Sequence, residues 1–255
     1  MKNNFWNNTF IYGLGFLLLR GISFFLLPIY TNLLSEYDAG IIFLIYTLLA
    51  FLNPLYAYGM NASLFKFYND KNYNHTETIT TSLVSLFFSS SLLSFLLIIF
   101  SNYLNPIIGV DAYYMSYKIN WFVFLSCILF FDSFSSRAIV LLRLQKLPFY
   151  FLFISSANIV LSLMFNFLFI YKYNFSSFGA VLSILCVSAI QTILLLPIII
   201  KSIDKKFFNF SLFKKMFSFA MPFLPSALLF VVMGFSDRWF IKYFLNMESV
   251  GLYGA

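Results

Sequence analysis

A few charged side chains interrupt otherwise apolar stretches of this sequence. Arg20, Asp132, Arg137 and the adjacent pair Asp237 and Arg238 each lie within a long apolar run. A charged group at the centre of a hydrocarbon layer costs at least about 2.5–3.5 kcal/mol, so such residues usually face a bundle interior or a water-filled path. Arginine suits a phosphate or pyrophosphate because its fixed fork of donors matches the oxygens. Aspartate would instead suit an organic cation or a coupling ion. These five residues are the first candidates for ligand binding.

Each charge also has a structural interpretation. No acidic residue lies within four positions of Arg20, so it faces a cavity or pairs with Asp132 or Asp237 from another helix. Its position in the middle of a span makes the third alternative, reaching a membrane surface, difficult. Asp132 and Arg137 are five residues apart and would point about 140° apart on a helix. Each of the two could therefore pair across helices, or Arg137 could reach a membrane surface. For Asp237 and Arg238, the alternative to a cavity role is one buried pair and one interface anchor.

Uncharged polar residues add two further candidates, Asn53 and Asn61. Asn53 precedes Pro54, and a proline within a span frees backbone carbonyls that must be buried or hydrated. Asn158 and Asn166 share one helix face. For these asparagines, hydrogen bonding between helices is the favoured interpretation and sugar contact the alternative.

The composition defines the medium in which these residues work. The chain has 255 residues, of which 61% are hydrophobic, 22% aromatic and 10% charged, with a net charge of +7. Soluble domains are roughly 45–50% apolar and about 25% charged. This chain lacks the polar surface of a soluble enzyme, a disordered linker or a nucleic-acid module, and the composition indicates a polytopic membrane protein.

The apolar runs predict an all-α transmembrane helix bundle, because they are continuous and long enough for helices to cross a bilayer. Polar connections are predicted at Asn32–Gly40, Asn69–Glu77, Asn102–Asp111 and Lys201–Lys215. Seven spans are predicted, near residues 9–34, 40–63, 80–101, 118–142, 148–171, 179–200 and 216–245.

The distribution of lysine and arginine predicts the orientation, since cytoplasmic loops are enriched in both. With the N-terminus in the cytoplasm, three basic residues are external, namely Lys118, Lys172 and Lys242. Asp111 and Asn174 are then predicted to be external and Lys205 cytoplasmic. Ten basic residues are cytoplasmic, namely Lys2, Lys66, Lys71, Arg143, Lys146, Lys201, Lys205, Lys206, Lys214 and Lys215.

An internal repeat relates the beginning of the chain to its end. With an offset of 211 residues, Ile29–Ile42 lies over Phe240–Tyr253, so that Leu34 matches Leu245, Ser35 lies over Asn246 and Gly40 matches Gly251. A true repeat would place six spans in each unit, and an even number of spans makes the two units parallel. We therefore expect a six-helix N-terminal lobe over residues 1–215. Residues 216–255 would begin a second lobe, with an eighth span starting near Ala255.

Several of these stretches resemble the bacterial polysaccharide-biosynthesis flippases, the O-antigen and capsular-repeat exporters of the multidrug/oligosaccharidyl-lipid/polysaccharide superfamily. The resemblance extends over essentially all 255 residues. It rests on Pro28 with Leu34-Ser35 and Gly40, on Arg143-Leu-Gln-Lys146, and on Asp237-Arg238 with Gly251-Leu-Tyr253.

The resemblance implies two helical lobes around a central cavity, alternating access, and an undecaprenyl-pyrophosphate-linked oligosaccharide as cargo. It also implies the bacterial inner membrane, with membrane lipid, a polysaccharide polymerase and chain-length machinery as further partners. A drug or organic-cation exporter of the same superfamily is the alternative, to which Asp132 and Asp237 would contribute. A membrane enzyme is disfavoured because no predicted loop is long enough for an extramembrane site.

Familiar catalytic and cofactor signatures are missing from the sequence. His75 is the only histidine, and Cys127 and Cys186 lie in apolar spans where they are interpreted as packing residues. No phosphate-binding G-x-x-x-x-G-K-[ST] motif occurs. We therefore expect no catalytic residue, no metal site, no cofactor and no nucleic-acid partner.

Overall fold

A computed structural model describes residues 2–108, 113–114, 117–204 and 207–254, with residues 2–8, 113–114 and 117–118 described by their backbone alone. Asp111, Lys205, Lys206 and Ala255, which carry predictions made above, lie outside these ranges. The helices are α1 (Lys2–Leu33), α2 (Glu36–Ala57), α3 (Met60–Asn69), α4 (His75–Ile99), α5 (Ser101–Ile108), α6 (Trp121–Leu144), α7 (Pro148–Asn166), α8 (Ser176–Ser202), α9 (Phe210–Ala220), α10 (Phe223–Phe244) and α11 (Met247–Gly254).

The remaining regular structure is small. A π-helical turn, Phe167–Lys172, continues α7, and the strands β1 (Tyr113–Tyr114) and β2 (Tyr117–Lys118) form an antiparallel hairpin in which Tyr113 pairs with Lys118. Seven helical segments are long and apolar enough to cross a membrane, and the prediction of an all-α transmembrane bundle is confirmed. The segments are Thr9–Leu33, Glu36–Asn69, His75–Ile99, Trp121–Leu144, Pro148–Lys172, Ser176–Ser202 and Phe210–Phe244.

Two predicted connections prove to be partly helical. The stretch predicted as Asn102–Asp111 contains α5, which follows a break in α4 at Phe100. The stretch predicted as Lys201–Lys215 contains the start of α9 at Phe210, where the Asn209 side chain accepts hydrogen bonds from the Ser211 and Leu212 amides. Such a cap satisfies amides that have no partner within the helix.

The second and seventh spans are each broken in two. Between α2 and α3 the chain passes through left-handed conformations at Tyr58 and Gly59, with φ of 35° and 69°. Between α9 and α10 it turns at Met221 and Pro222. The two breaks touch, since a Cβ at Gly59 would collide with the Ala220 carbonyl. Glycine at 59 thus permits both the backbone turn and the close approach.

The bundle has two ends, which we name from α1. At the near end, where α1 begins, the Tyr12 hydroxyl donates to the Leu142 carbonyl at 3.4 Å, and Gln145 Nε2 donates to Ser202 Oγ at 2.9 Å. At the far end, where α1 ends, Ser177 Oγ donates to an Asp38 carboxylate oxygen at 2.9 Å.

Helix α6 is at the centre of the packing, against α2, α4 and α8, while α1 packs on α7 and barely touches α2. Helices α1 and α7 are in close contact at Gly15, where glycine leaves room for the Phe151 ring. A Cβ at this position would collide with that ring. Helix α10 buries no residue completely and lies against α2 together with α11. The gap between α1 and α2 is therefore bounded on a third side by α10.

Candidate functional site

A cavity of 470 Å³ lies between α1, α2 and α10. Its polar lining comes from Ser23, Tyr30, Tyr46 and Arg238, and the rest is apolar. Tyr30 and Tyr46 share a hydrogen bond of 2.9 Å, and the Tyr30 hydroxyl donates to Asn166 Oδ1 at 3.1 Å. This cluster fixes the wall where α1, α2 and α7 meet.

Arg238 supplies the positive charge of this cavity. Its guanidinium carbon lies 5.8 Å from the centre of the Phe43 ring and 5.3 Å from that of Phe235, so the cation stacks on aromatic rings. Its Nε is buried and has no hydrogen-bond partner. Arg238 is therefore a half-buried arginine whose Nε has no acceptor, beside a space that could hold one.

Arg20 lies on the same face of α1 as the cavity lining. Residues 23, 24 and 27 follow it at the i+3, i+4 and i+7 positions, which share one helix face, and all three line the cavity. The Arg20 side chain is exposed. Within the described residues it forms no hydrogen bond or ion pair, and neither Asp132 nor Asp237 reaches it. The structural alternative of a permanent carboxylate pair is therefore absent from this structure.

Arg143 is a third arginine on this face, and from the sequence it was interpreted only as a cytoplasmic basic residue and as part of the motif Arg143-Leu-Gln-Lys146. It ends α6 at the near end, with its guanidinium carbon 5.5 Å from the Phe16 ring and 5.6 Å from the Phe65 ring. Its Nε is also buried without a partner. Phe16 precedes Arg20 by one helical turn, so Arg143 lies beside the cavity face of α1, closer to the near end. We call this face of α1, from Phe16 to the cavity, the path along α1.

Asn53 extends the cavity along α2 in the same direction. Phe43, Tyr46 and Ala50 line the cavity, and Asn53 follows them at helical spacing on the same face. Its side chain is exposed. Of the predicted site residues, Arg20, Asn53 and Arg238 thus lie along one path, which Arg143 joins from α6.

The other predicted site residues lie elsewhere in the bundle. Arg137 is 1% exposed, and its Nη1 donates to Ser82 Oγ at 2.6 Å between α4 and α6. Asp132 accepts a hydrogen bond from Ser188 between α6 and α8, and Asn61 Nδ2 donates to Ser136 Oγ at 2.9 Å. Asp237 is not among the residues that line the cavity, and it accepts from the Tyr253 hydroxyl.

The far end of the cavity is closed by α11 lying on α2. A Cβ at Gly40 would collide with the Met247 carbonyl, and a Cβ at Gly251 would collide with the Glu36 carbonyl. Gly254 meets the Phe43 ring and lines the cavity. The two backbones approach this closely because both contact positions are glycine.

This helix contact is symmetric under the 211-residue offset found in the sequence. Glu36 on α2 contacts Gly251 on α11. Under the offset, the residue equivalent to Glu36 is Met247 and the residue equivalent to Gly251 is Gly40, and these two also contact each other. Contacts of this reciprocal kind are typical of a two-fold axis. Gly40 faces Gly251, and three residues further along each helix Phe43 faces Gly254. The two helices therefore run parallel.

The turns that precede these helices are also equivalent. The Ser35 hydroxyl accepts from the Asp38 amide at 3.1 Å, and Asn246 Oδ1 accepts from the Ser249 amide at 2.8 Å. The helix before each turn closes in the same way, with the Leu34 amide bonded to Tyr30 and the Leu245 amide to Ile241. Both pairs are related by the offset of 211, so the weak sequence repeat has a geometric counterpart.

Comparison with protein families decides the class of this membrane protein. The family model described as polysaccharide biosynthesis protein matches residues 5–255. The chain belongs to the polysaccharide biosynthesis protein family. No curated protein and no solved structure gives a significant match. As a polysaccharide biosynthesis protein with seven apolar helices, the chain is a polysaccharide-related transporter by family and architecture.

The site of this polysaccharide biosynthesis protein suits an anionic ligand. Arginine is the charged residue facing the path, and in the described part of the chain no cluster of histidine, cysteine or carboxylate side chains could hold a metal ion. Aromatic rings at Phe16, Phe43 and Phe65 flank the guanidinium groups. The arrangement can bind a phosphate-type anion and offers ring faces beside it.

Proposed function

We propose that this protein moves a lipid-linked oligosaccharide, held through undecaprenyl pyrophosphate, from the cytoplasmic to the outer leaflet by alternating access. The observation that carries the proposal is Arg20, an exposed and unpaired arginine in the middle of a membrane span. A protein tolerates such a charge when water or an anionic ligand reaches it. A pyrophosphate supplies the acceptor oxygens that the guanidinium fork requires.

The three arginines give the head group successive contacts along α1. Arg143 lies at the near end, Arg20 one helical turn beyond Phe16, and Arg238 beside the cavity at the far side of Phe24. A rise of 1.5 Å per residue places Phe16, Arg20 and Phe24 about 6 Å apart along α1. A head group can therefore pass from one cation to the next without losing all of its partners.

The structure supports a state that is closed at the far end and accessible from the near end. The glycine contact between α2 and α11 closes the far end, where Lys242 Nζ also donates to the carbonyls of Ile107 and Ile108 at 2.6 Å. Helix α1 barely touches α2, and the side chains of Phe16 and Arg20 are exposed. We propose that this state receives the substrate.

We propose that the near end is cytoplasmic, in the inner membrane of a bacterium. The near end carries Lys66, Lys71, Lys201, Lys214 and Lys215 among the described residues, whereas the far end carries Lys172 and Lys242. A membrane-impermeant thiol reagent added to intact cells should label Asn174→Cys and leave Lys214→Cys unlabelled. The reverse pattern would overturn the orientation.

We also propose the division into two parallel lobes, residues 1–215 and 216–255. The symmetric contact of α2 with α11 supports parallel lobes that meet on a two-fold axis along the membrane normal. Position 215 lies inside α9, which packs on α3 and α4. We propose that α9, which packs on α3 and α4, connects the two lobes.

The structure offers little to an exporter of organic cations. Such a transporter needs carboxylates in its cavity, but Asp132 accepts from Ser188 between α6 and α8, and Asp237 accepts from Tyr253. Neither lines the cavity between α1, α2 and α10.

The proposal is tested with full-length protein in liposomes that contain a fluorescent undecaprenyl-pyrophosphate oligosaccharide. We expect wild-type protein to expose the sugar to an enzyme added outside, and Arg20→Ala to do so at least about tenfold more slowly. Undecaprenyl phosphate without the second phosphate or the sugar is the matched ligand control. If wild-type protein moves an organic cation and leaves the lipid-linked sugar in place, the proposal is wrong.

A further inference from the structure

A second pocket lies at the near end of the bundle, on the side away from α10 and α11. It has a volume of 460 Å³ and lies where α4 begins, α6 ends and α8 ends. Its polar lining comes from Lys201, His75, Thr76, Gln145 and Ser202. The pocket is thus at the level of a membrane surface and separate from the path along α1.

Several features of this pocket favour an anion. Lys201 brings a positive charge from the last turn of α8, and α4 begins at His75, so the positive end of its helix dipole points toward the pocket. The bond between Gln145 and Ser202 holds the ends of α6 and α8 together beneath the pocket, and His75 is stacked on Tyr68 with 4.2 Å between ring centres.

Two carboxylates lie close in sequence to residues of the pocket, but outside its lining. Glu77, two residues after His75, accepts a hydrogen bond of 2.6 Å from Asn209 Nδ2 at the start of α9. Asp204 follows α8, where its backbone amide donates to Thr80 Oγ1 at 3.1 Å. Neither residue lines the pocket.

An apolar groove continues from the pocket along the start of α7. Its volume is 510 Å³, and Leu147 lines both spaces. The groove is formed by Pro148, Phe149, Tyr150 and Phe153, with Lys146 at its entrance. Phe149 and Phe153 are 73% and 55% exposed and lie on one face of the helix.

We propose that the pocket and groove together bind an anionic phospholipid of the near-end leaflet, with the phosphate in the pocket and an acyl chain in the groove. Lys201 and a helix N-terminus match the phosphate, Lys146 adds a positive charge at the adjoining groove, and the exposed aromatic face matches the chain. A free phosphate would use only the first of these spaces. A zwitterionic lipid would carry its own cation to the lysines and bind less well.

The test compares lipids retained by the full-length protein in native mass spectrometry after purification with equal amounts of phosphatidylglycerol and phosphatidylcholine. We expect wild-type protein to retain phosphatidylglycerol in preference. Each lysine near an anionic surface changes binding roughly fivefold, so Lys146→Gln with Lys201→Gln should remove most of the preference. Lys214→Gln, which removes a near-end lysine outside the pocket, should keep it. Equal retention of the two lipids by wild-type protein, or identical behaviour of the double variant and Lys214→Gln, would overturn the proposal.

A second measurement uses only wild-type protein and is independent of how the variants fold. A phosphatidylglycerol analogue with a photoreactive acyl chain should crosslink to the segment that contains Leu147 and Phe153. Glycerol phosphate, the head group without chains, should not compete at equal concentration. Crosslinks found only on other helices, or equal labelling by a phosphatidylcholine analogue, would contradict the site.

Discussion

Arg20 and Arg137 are both arginines within membrane spans, yet the fold treats them in opposite ways. Arg137 is 1% exposed, and it bonds to Ser82 and lies beside the Tyr58 phenol in the interior of the first six spans. Arg20 is exposed on the face of α1 that lines the cavity and has no partner among the described residues. One guanidinium is part of the packing, and the other is available to a ligand.

The difference shows that depth in a span does not by itself mark a binding residue. An intramembrane charge has a structural role when neighbouring helices supply its hydrogen-bond partners, as Ser82 does for Arg137. Arg137 Nε is also buried without a partner, so an unpaired Nε does not by itself separate the two classes. What separates them is position, since Arg238 lines the cavity and Arg20 lies on the cavity face of α1, whereas Arg137 is enclosed between α4 and α6. Substitution of a structural arginine should lower the stability of the protein, whereas substitution of a ligand-binding arginine should lower transport.

The largest effect is expected at Arg137. Arg137→Ala empties a fully buried site between α4 and α6, and truncating a large buried side chain costs about 2–5 kcal/mol. We expect low protein abundance and a lower temperature of thermal unfolding in detergent. Arg137→Met, which keeps the volume without the charge, should recover most of the loss, because hydrophobic replacement of a buried charge is often tolerated. Normal abundance and lost transport in Arg137→Ala would break the comparison.

Arg20 should show the opposite pattern. Arg20→Ala should keep normal abundance and lose at least about tenfold of the transport measured as surface polysaccharide, since a hydrogen bond to a charged group contributes about 1.5–3 kcal/mol. Arg20→Lys should keep partial activity because the charge remains while the fork is lost. Arg20→Met should be as inactive as Arg20→Ala. Wild-type polysaccharide from Arg20→Ala at matched expression would contradict the ligand role.

A smaller effect is expected at the glycine contact. Gly40→Ala and Gly251→Ala each add a Cβ that collides with a carbonyl of the opposite helix, and overpacking costs about 1–3 kcal/mol. Both should increase the distance between α2 and α11, measured by spin labels at the far end, and by similar amounts because the contact is symmetric. Gly234→Ala is the control, since a Cβ there would meet nothing within 4 Å. An effect of only one of the two glycines would count against the two-fold relationship.

The smallest effect is expected at Tyr30. Tyr30→Phe removes the hydroxyl that joins Tyr46 and Asn166, and a single hydrogen bond contributes about 0.5–1.5 kcal/mol. Thermal unfolding of the purified protein should shift by a few degrees without loss of transport. Tyr253→Phe, which removes an exposed hydroxyl at the far end, is the matched comparison. A complete loss of transport in Tyr30→Phe would make the cluster part of the binding site.

The sequence predicts the bundle better than it predicts the site. Long apolar runs and turn residues are local signals, and they predicted the seven spans. The offset of 211 residues predicted a repeat, but the contact between α2 and α11 was found only in the structure. The short helices α5 and α9 were missed because their residues resemble polar connections. Their depth in the spans made both Arg137 and Arg238 candidates for ligand binding. The sequence does not show which neighbouring helices supply hydrogen-bond partners to an arginine. Arg143 was missed because its neighbours Phe16 and Phe65 come from distant parts of the chain.

The path along α1 is tested most directly by the accessibility of position 20. In full-length protein with Cys127 and Cys186 replaced by alanine, Arg20→Cys should react with a membrane-impermeant thiol reagent applied from the near-end side. Protection by the lipid-linked oligosaccharide is measured at Ser23→Cys, which lines the cavity, is exposed and leaves Arg20 in place. Phe25→Cys is the control, because Phe25 is 51% exposed but lies about 140° around the helix from position 20 and lines no part of the cavity. Reaction at 20 and 23 but not at 25, with protection of position 23 by the lipid-linked sugar, is the predicted result. No reaction at position 20 from either side, or reaction at position 23 without protection, would contradict the account.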